Sequence, residues 1–343
     1  MQNIHTENQH YKMAGTITLA LRLVIGWTYF SAFWRRLILE NKLDPDTAGY
    51  IGQKFNHFLP NALGIKPIIE HLVLNPDKLW IAMVVFTIIE AIVGLFIMFG
   101  LFTRLMSIGV IALAMGILLG SGWIGTTCLD EWQIGVLGIA GGFILFLSGS
   151  SYFSMDNFLL NKEYRFTNNK WFRWLGSGNL SLKSNSFKTI SLIGALLILS
   201  LTLFTNQYFH GGLWGKLHNK SAKPVIELSD AVIDNNTLSF NVYRTEGVDV
   251  YGSFLIAIAL EDAEGNIVLK MEADELANLS PNVIKNIYVA KVKPGKHSLI
   301  IPLGAKANIN LKHEKLIHLK SSVYILKLTD VSGIVWRDKV QVK

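Results

Sequence analysis

Residues 79–101 read LWIAMVVFTIIEAIVGLFIMFGL, an apolar run broken by one carboxylate, Glu90. A bilayer core takes about 20 consecutive apolar residues of helix, so this stretch is expected to cross a membrane. Thr16 to Trp34, Leu105 to Trp123, Trp132 to Ser150 and Phe187 to Phe204 meet the same requirement. Five crossings put the two ends of the chain on opposite sides. The overall composition, 50% hydrophobic and 17% charged, conceals a break near Gly211, after which charge returns and long apolar runs stop. The chain therefore reads as a membrane half followed by a soluble half, with boundaries expected at 1–160, 161–210 and 211–343.

The first span is long, follows a polar start and ends in Arg35-Arg36 without a small-residue cleavage site, so it is expected to stay as an anchor. Lys and Arg in short loops tend to remain cytoplasmic. Lys12, Arg104 and the basic run Lys162, Arg165, Lys170, Arg173, Lys183 and Lys188 share one side, expected to be the cytoplasm. The outer loop 35–78, the Ser121 to Glu131 connection and the C-terminal domain then face the periplasm or its equivalent, and the chain is a multi-pass protein of the inner membrane. The net charge of +7 could suggest nucleic acid, but the soluble half carries 17 Lys and Arg against 14 Asp and Glu spread along its length rather than clustered, which argues against it.

Ala112, Gly116 and Gly120, and Gly138 with Gly142, repeat at four-residue spacing, the pattern that lets helix backbones approach in lipid. The expected architecture is a four-helix membrane bundle with the Phe187 to Phe204 helix as a separate tether. In the outer loop, apolar residues at helical spacing around Phe55 and Ile69 suggest short amphipathic helices on the membrane surface, and Asn75-Pro76 opens the second span. After Gly211, short β-rich runs separated by Asp234-Asn235-Asn236, Glu264-Gly265-Asn266 and Val331-Ser332-Gly333 predict an all-β immunoglobulin-like sandwich.

Two lone charges, Arg22 and Glu90, lie inside apolar spans, where an unpaired ion costs at least about 2.5 to 3.5 kcal/mol. They are expected to face the bundle interior, either as a register-fixing ion pair or as a proton or anion site. Cys128, the single cysteine, lies in GWIGTTCLDEW (122–132) at the outer end of the bundle and excludes an intrachain disulfide. Taken alone, such a cysteine is more often an inert small residue than a nucleophile. Asp130 and Glu131 oppose a reactive thiolate unless a cation approaches, and they also suit the start of a helix. None of the nine histidines falls inside a span, so paired axial haem ligands are not expected. No cysteine cluster, dinucleotide fingerprint or phosphate loop is present, and neither flavin nor metal is indicated.

Against this background the chain resembles the DoxX-like membrane proteins, and within them the DoxD and DoxA subunits of thiosulfate:quinone oxidoreductase, joined end to end. The DoxD resemblance lies in Leu21-Arg22-Leu23 with Gly26, in Glu90 and Gly94 running to GLFTR (100–104), and in the Cys128 segment. The DoxA resemblance lies in Tyr243-Arg244 and GVDVYGSF (247–254). The resemblance implies oxidation of thiosulfate to tetrathionate on the outer face, with electrons passed to a membrane quinone, ubiquinone or menaquinone. Cys128 is then the expected nucleophile, Glu90 a proton relay and Arg22 its tuning partner. Arg35, Arg36, Arg244, Trp123 and Asp130 are the residues expected around the substrate. Trp27, Tyr29, Phe30, Phe33, Trp34, Trp123 and Trp132 offer aromatic surface for a quinone, or an interfacial belt. Lipid, quinone and thiosulfate are the expected partners, and a homo-oligomer is left open. The alternative reading is a non-catalytic membrane subunit or a sulfur-oxyanion binding or transport protein.

Overall fold

The computed structural model describes residues 11–125, 130–180, 182–249, 252–319 and 322–342. Cys128, expected as the nucleophile, lies outside the described residues, as does the side chain of Asp130.

Helix α1 (Tyr11–Ile17) and helix α2 (Leu19–Phe33) meet at a bend of 49°. Thr18, at the break, turns its hydroxyl back to the Ala14 carbonyl at 3.1 Å, a bond that competes with the helix ladder. Beyond α2 the chain continues as a π-turn, Trp34–Ile38, in which the Leu39 amide reaches the Trp34 carbonyl at 3.0 Å. The loop carries α3 (Ile51–Phe58) and α4 (Lys66–Val73), then α5 (Pro76–Phe99), α6 (Thr103–Ser121) and α7 (Asp130–Ser148). Short helices α8 (Met155–Asn161) and α9 (Lys170–Leu175) precede the long α10 (Ser184–His210). Four helices, α5, α6, α7 and α10, are each long and apolar enough to cross a membrane, and α1 with α2 makes a fifth if the bent pair is one span. Pro76 is the first residue of α5, where its missing amide costs nothing.

Glycines on α7 set its approach to α6. A Cβ on Gly138 would meet the Ala114 methyl at 2.8 Å, and one on Gly135 would meet Leu118 at the same distance. The stripe expected on α6 is different: Ala112 and Gly116 are exposed, and the buried face is Ser107, Val110, Ala114 and Leu118. One helix thus supplies the small residues and the other the knobs. A second close approach joins α2 and α5, where a Cβ on Gly26 would run into the Gly94 carbonyl and Met98.

The described residues of the C-terminal region form ten strands: β1 (Val225–Asp234), β2 (Thr237–Glu246), β3 (Ser253–Glu261), β4 (Ile267–Glu272), β5 (Ile284–Asn286), β6 (Lys293–Pro294), β7 (Leu299–Ile301), β8 (Lys306–Lys312), β9 (Tyr324–Asp330) and β10 (Val335–Val342), with α11 (Ala273–Ala277) after β4. Their order is β5-β8-β2-β1-β10-β9-β3-β7-β6, with β4 on β3. The sets β1, β2, β8, β5 and β10, β9, β3 follow the two sheets of an immunoglobulin sandwich. A short parallel pairing, Val232 and Ile233 against Gln341 and Val342, joins them edge to edge into one barrel-like sheet. Both sets share one core, with Leu238, Phe240 and Val242 of β2 and Leu255, Ile258 and Leu260 of β3 in a single cluster. Strand β8 was not expected from the sequence. It alternates Ala307, Ile309 and Leu311 inward with Asn308 and Asn310 outward, and asparagines are poor strand signals.

The packing divides the chain into two compact units. One holds Met1–Ala48, Ile81–Gly122 and Leu129–His218, and the other Gly49–Trp80, Trp123–Cys128 and Asn219–Lys343. Residues Gly49–Trp80, which carry α3 and α4 of the outer loop, therefore pack with the β-domain. Asn56 of α3 decides the matter locally. Its side chain donates to the Gly304 carbonyl at 2.5 Å and accepts from the Ala290 amide at 3.0 Å, and the residue is fully buried. Gly304 has φ +71°, and a Cβ there would collide with the Asn56 backbone. Asn61 donates to the Thr245 carbonyl at 2.9 Å, and Tyr288 donates to Glu70 of α4 at 2.7 Å.

Candidate functional site

In the helical unit, Glu90 is buried on α5 and its Oε2 is bonded by Nη1 of Arg36, within the π-turn. The expected pairing of Glu90 with Arg22 is not formed. Helices α2 and α5 run antiparallel, with Arg22 beside Gly100 and Gly26 beside Gly94 and Met98, so Arg22 is carried away from Glu90. About 20 Å of helix separates Arg22 from Arg36. The Arg36 guanidinium also lies 5.9 Å from the Phe86 ring centre, and Tyr29 is buried within electrostatic reach of Glu90. A π-turn re-aims side chains by one extra residue, and such turns recur at functional sites.

Arg22 is nearly fully buried. Its Nη2 donates to the Phe153 carbonyl at 2.8 Å, while Nε and Nη1 have no hydrogen-bond partner among the described residues. Close by in the same unit, Asp156 accepts from the amides of Phe102 and Thr103 at 2.8 and 3.0 Å and from Ser177 Oγ at 2.7 Å. That carboxylate caps α6, whose preceding residue Phe102 is left-handed at φ 46°. The sequence reading missed Asp156, and the signal available was a Ser154-Met155-Asp156 helix start soon after a span.

The aromatic residues expected around a quinone separate into two groups. Trp27, Phe30, Phe33 and Trp34 form a ladder along α2 with ring centres 5.7 to 6.1 Å apart, and Trp27 and Trp34 are exposed. Trp132 is instead buried, with Nε1 donating to Thr205 Oγ1 of α10 at 2.9 Å. Trp123 is fully buried in the β-unit, with Nε1 donating to the Phe58 carbonyl at 3.2 Å. Arg35 is exposed and donates Nε to the Ser31 carbonyl at 3.3 Å.

In the β-unit, Arg244 was expected as a cation available to substrate, but it is 2% exposed. Its guanidinium donates to the carbonyls of Val248 at 2.7 Å and of Glu246 and Ile301 at 3.2 Å, closing the turn after β2. Burial lowers its pKa to about 10, with Asp330 and Asp249 pulling the other way. Arg244 lines a small cavity of about 160 Å³ with Ser253, Asp330 and Ser332. Ser253 Oγ is buried there without a hydrogen-bond partner among the described residues. Nearby, His57 of α3 is buried with neither ring nitrogen bonded among the described residues. Desolvation holds its pKa down to about 4, against the pull of Asp249 and with smaller pushes from Lys54 and Arg244. The approach to Cys128 is anchored in the same unit: the Gly125 amide donates to Ser221 Oγ at 2.9 Å, and its carbonyl accepts from Asn219.

Comparison with known families matches residues 17–183 to the TQO small subunit DoxD and residues 209–339 to the TQO small subunit DoxA. The chain is a DoxD domain followed by a DoxA domain. TQO is thiosulfate:quinone oxidoreductase, so both small subunits of that family are carried on one polypeptide. The DoxD match spans the Glu90–Arg36 pair, Arg22 and the Cys128 segment, and the DoxA match spans Arg244 and the cavity beside it. Helices α3 and α4 fall within the DoxD match yet pack with the DoxA strands, so the fold boundary and the family boundary differ.

Proposed function

We propose that this DoxD–DoxA chain is a thiosulfate:quinone oxidoreductase of the inner membrane, with its N-terminus cytoplasmic and its thiosulfate chemistry on the outer face. The observation that carries the reading is the presence of both small-subunit families in one chain. Two thiosulfate ions lose two electrons and join through a new sulfur–sulfur bond as tetrathionate. One quinone takes those two electrons and two protons to become the quinol.

Cys128 is the proposed nucleophile. Its thiolate and the sulfane sulfur of one thiosulfate form a sulfur–sulfur bond while two electrons leave to the quinone. A second thiosulfate then attacks the bound sulfane sulfur, releasing tetrathionate and restoring the thiolate. Exposed Arg35, at the end of the α2 run, attracts the dianion. Asp130 opens α7, where a carboxylate is favourable beside the helix N-terminus.

The buried Glu90–Arg36 pair supports the quinone half of the reading. A carboxylate inside a span is a costly feature, and a proton relay is one use that repays it. Glu90 Oε2 takes up and releases protons destined for the quinone, and Arg36 Nη1 is the group it pairs with. The exposed ladder from Trp27 to Trp34 offers the apolar aromatic surface along which a quinone ring lies. Arg22, turned away from Glu90, positions the Phe153 segment instead. Cys128→Ser should remove thiosulfate-dependent quinone reduction while the protein stays monodisperse and folded. Full turnover in that variant would rule out the covalent route.

A further inference from the structure

A cavity of about 650 Å³ in the helical unit lies among α1, the end of α7 and the start of α10. Its apolar wall includes Ala14, Ile17, Ile144, Leu147, Leu182 and Phe187. Ile17, Ile144 and Phe187 are also exposed, on helices that form membrane spans, so the cavity opens sideways to the hydrocarbon. The bend at Thr18 swings α1 out of line with α2 beside this opening.

Four polar side chains of the wall, Tyr11, Thr18, Arg104 and Ser148, are already bonded, and Asn179 and Ser184 also line it. Tyr11 Oη donates to the Ser150 carbonyl and accepts from the Gly178 amide at 2.8 Å. Arg104 donates to the carbonyls of Phe146 at 3.0 Å, Gly178 at 2.8 Å and Arg173. Thr18 and Ser148 are bonded to backbone carbonyls at 3.1 Å. A saturated hydrocarbon chain needs only area.

At the rim the chemistry changes sign. Lys12 follows lining residue Tyr11, and Lys183 stands between lining residues Leu182 and Ser184. Neither lysine is in an ion pair among the described residues, and Lys12 Nζ rests 5.6 Å from the Tyr152 ring centre. Lys162, Arg165, Lys170, Arg173 and Lys188 belong to the same connection and helix start. A basic rim beside an apolar slot between spans matches an anionic lipid headgroup and its tail.

We infer that this cavity is a binding site for an anionic glycerophospholipid, one acyl chain lying against Ile17, Ile144 and Leu147 and the phosphate held by Lys12 and Lys183. The site stands independently of the catalytic reading. The test uses the full chain, delipidated in mild detergent and then offered phosphatidylglycerol or phosphatidylcholine with matched acyl chains, retention being read by native mass spectrometry. The wild-type protein should retain phosphatidylglycerol preferentially. Lys12→Gln with Lys183→Gln should weaken that preference by about fivefold for each lysine. Leu147→Trp, which fills the slot, should remove retention of both lipids. The two glutamine changes are at the rim and keep the test meaningful if the tryptophan variant misfolds. Equal retention of the two lipids by the wild type, unchanged preference in the glutamine variant, or displacement of the lipid by a short-chain quinone would overturn the inference.

Discussion

The carboxylate of Glu90 is bonded by Arg36, in a π-turn, and not by Arg22, the other lone charge of the same helical run. Partner choice here follows from the antiparallel packing of α2 on α5 through Gly26 and Gly94, which brings the end of α2 to Glu90 and its start to Gly100.

Removing one member of a buried pair is worse than removing both, because the survivor keeps its desolvation cost. Arg36→Ala should lower stability by about 2–3 kcal/mol, and Arg36→Ala with Glu90→Gln should recover most of that loss. Unfolding midpoints in mild detergent check this. Additive losses in the double variant would contradict the pairing.

Asp156 accepts from two backbone amides and three hydroxyls, so an amide side chain in its place would turn a donor toward donors. Asp156→Asn should destabilise the helical unit by about 2–3 kcal/mol. It should also loosen the α6 start, read as faster hydrogen exchange at Phe102 and Thr103. Unchanged exchange would contradict the capping role.

Asn56 bridges Gly304 and Ala290 from a loop helix. Asn56→Ala leaves a buried carbonyl and a buried amide without partners, and should cost about 2–4 kcal/mol, measured as a lowered unfolding midpoint. The loop should then become sensitive to protease. A loop lying on the membrane, free of the β-domain, would make the same substitution silent.

These residues show how much was legible beforehand. Four of the apolar spans, their approximate limits and the β character of the C-terminal region all follow from local periodicity, which hydropathy and alternation report directly. Which partner Glu90 takes does not, because it depends on how two helices distant in sequence align. The packing of α3 and α4 on the β-domain was not legible for a related reason. An apolar stripe on α3 suits a membrane surface or a protein core equally, and what separates them is Asn56 and His57 on the buried face, a polar pair that only a structured partner can accommodate. In the site itself, the charges Glu90 and Arg22 were visible as exceptions in apolar runs, while Arg36 stood out only as one of the pair that ends the first span. Asp156, Asn219 and Ser221 were not, since short polar residues in loops acquire meaning only from what they bond.

His57 gives the β-unit a pH dependence. Its pKa is near 4 when folded, below the ordinary value of 6.5, so the unfolded chain binds the extra proton first. Stability is full above about pH 6.5 and falls as pH drops toward 4, by about 2–3 kcal/mol, then levels off with respect to this group. Asp249, Lys54 and Arg244 are the charges that act on it. Unfolding measured between pH 4 and 7 should show this slope, and His57→Gln should flatten it. An identical slope in the variant would assign the effect elsewhere.

The central claim is tested most directly by supplying the purified chain, with no other protein, with thiosulfate and a soluble quinone analogue, and measuring quinol and tetrathionate together. The account predicts one tetrathionate formed for each quinol, from two thiosulfates. Quinone left oxidised by a folded, monodisperse protein, or quinol formed without tetrathionate, would contradict it.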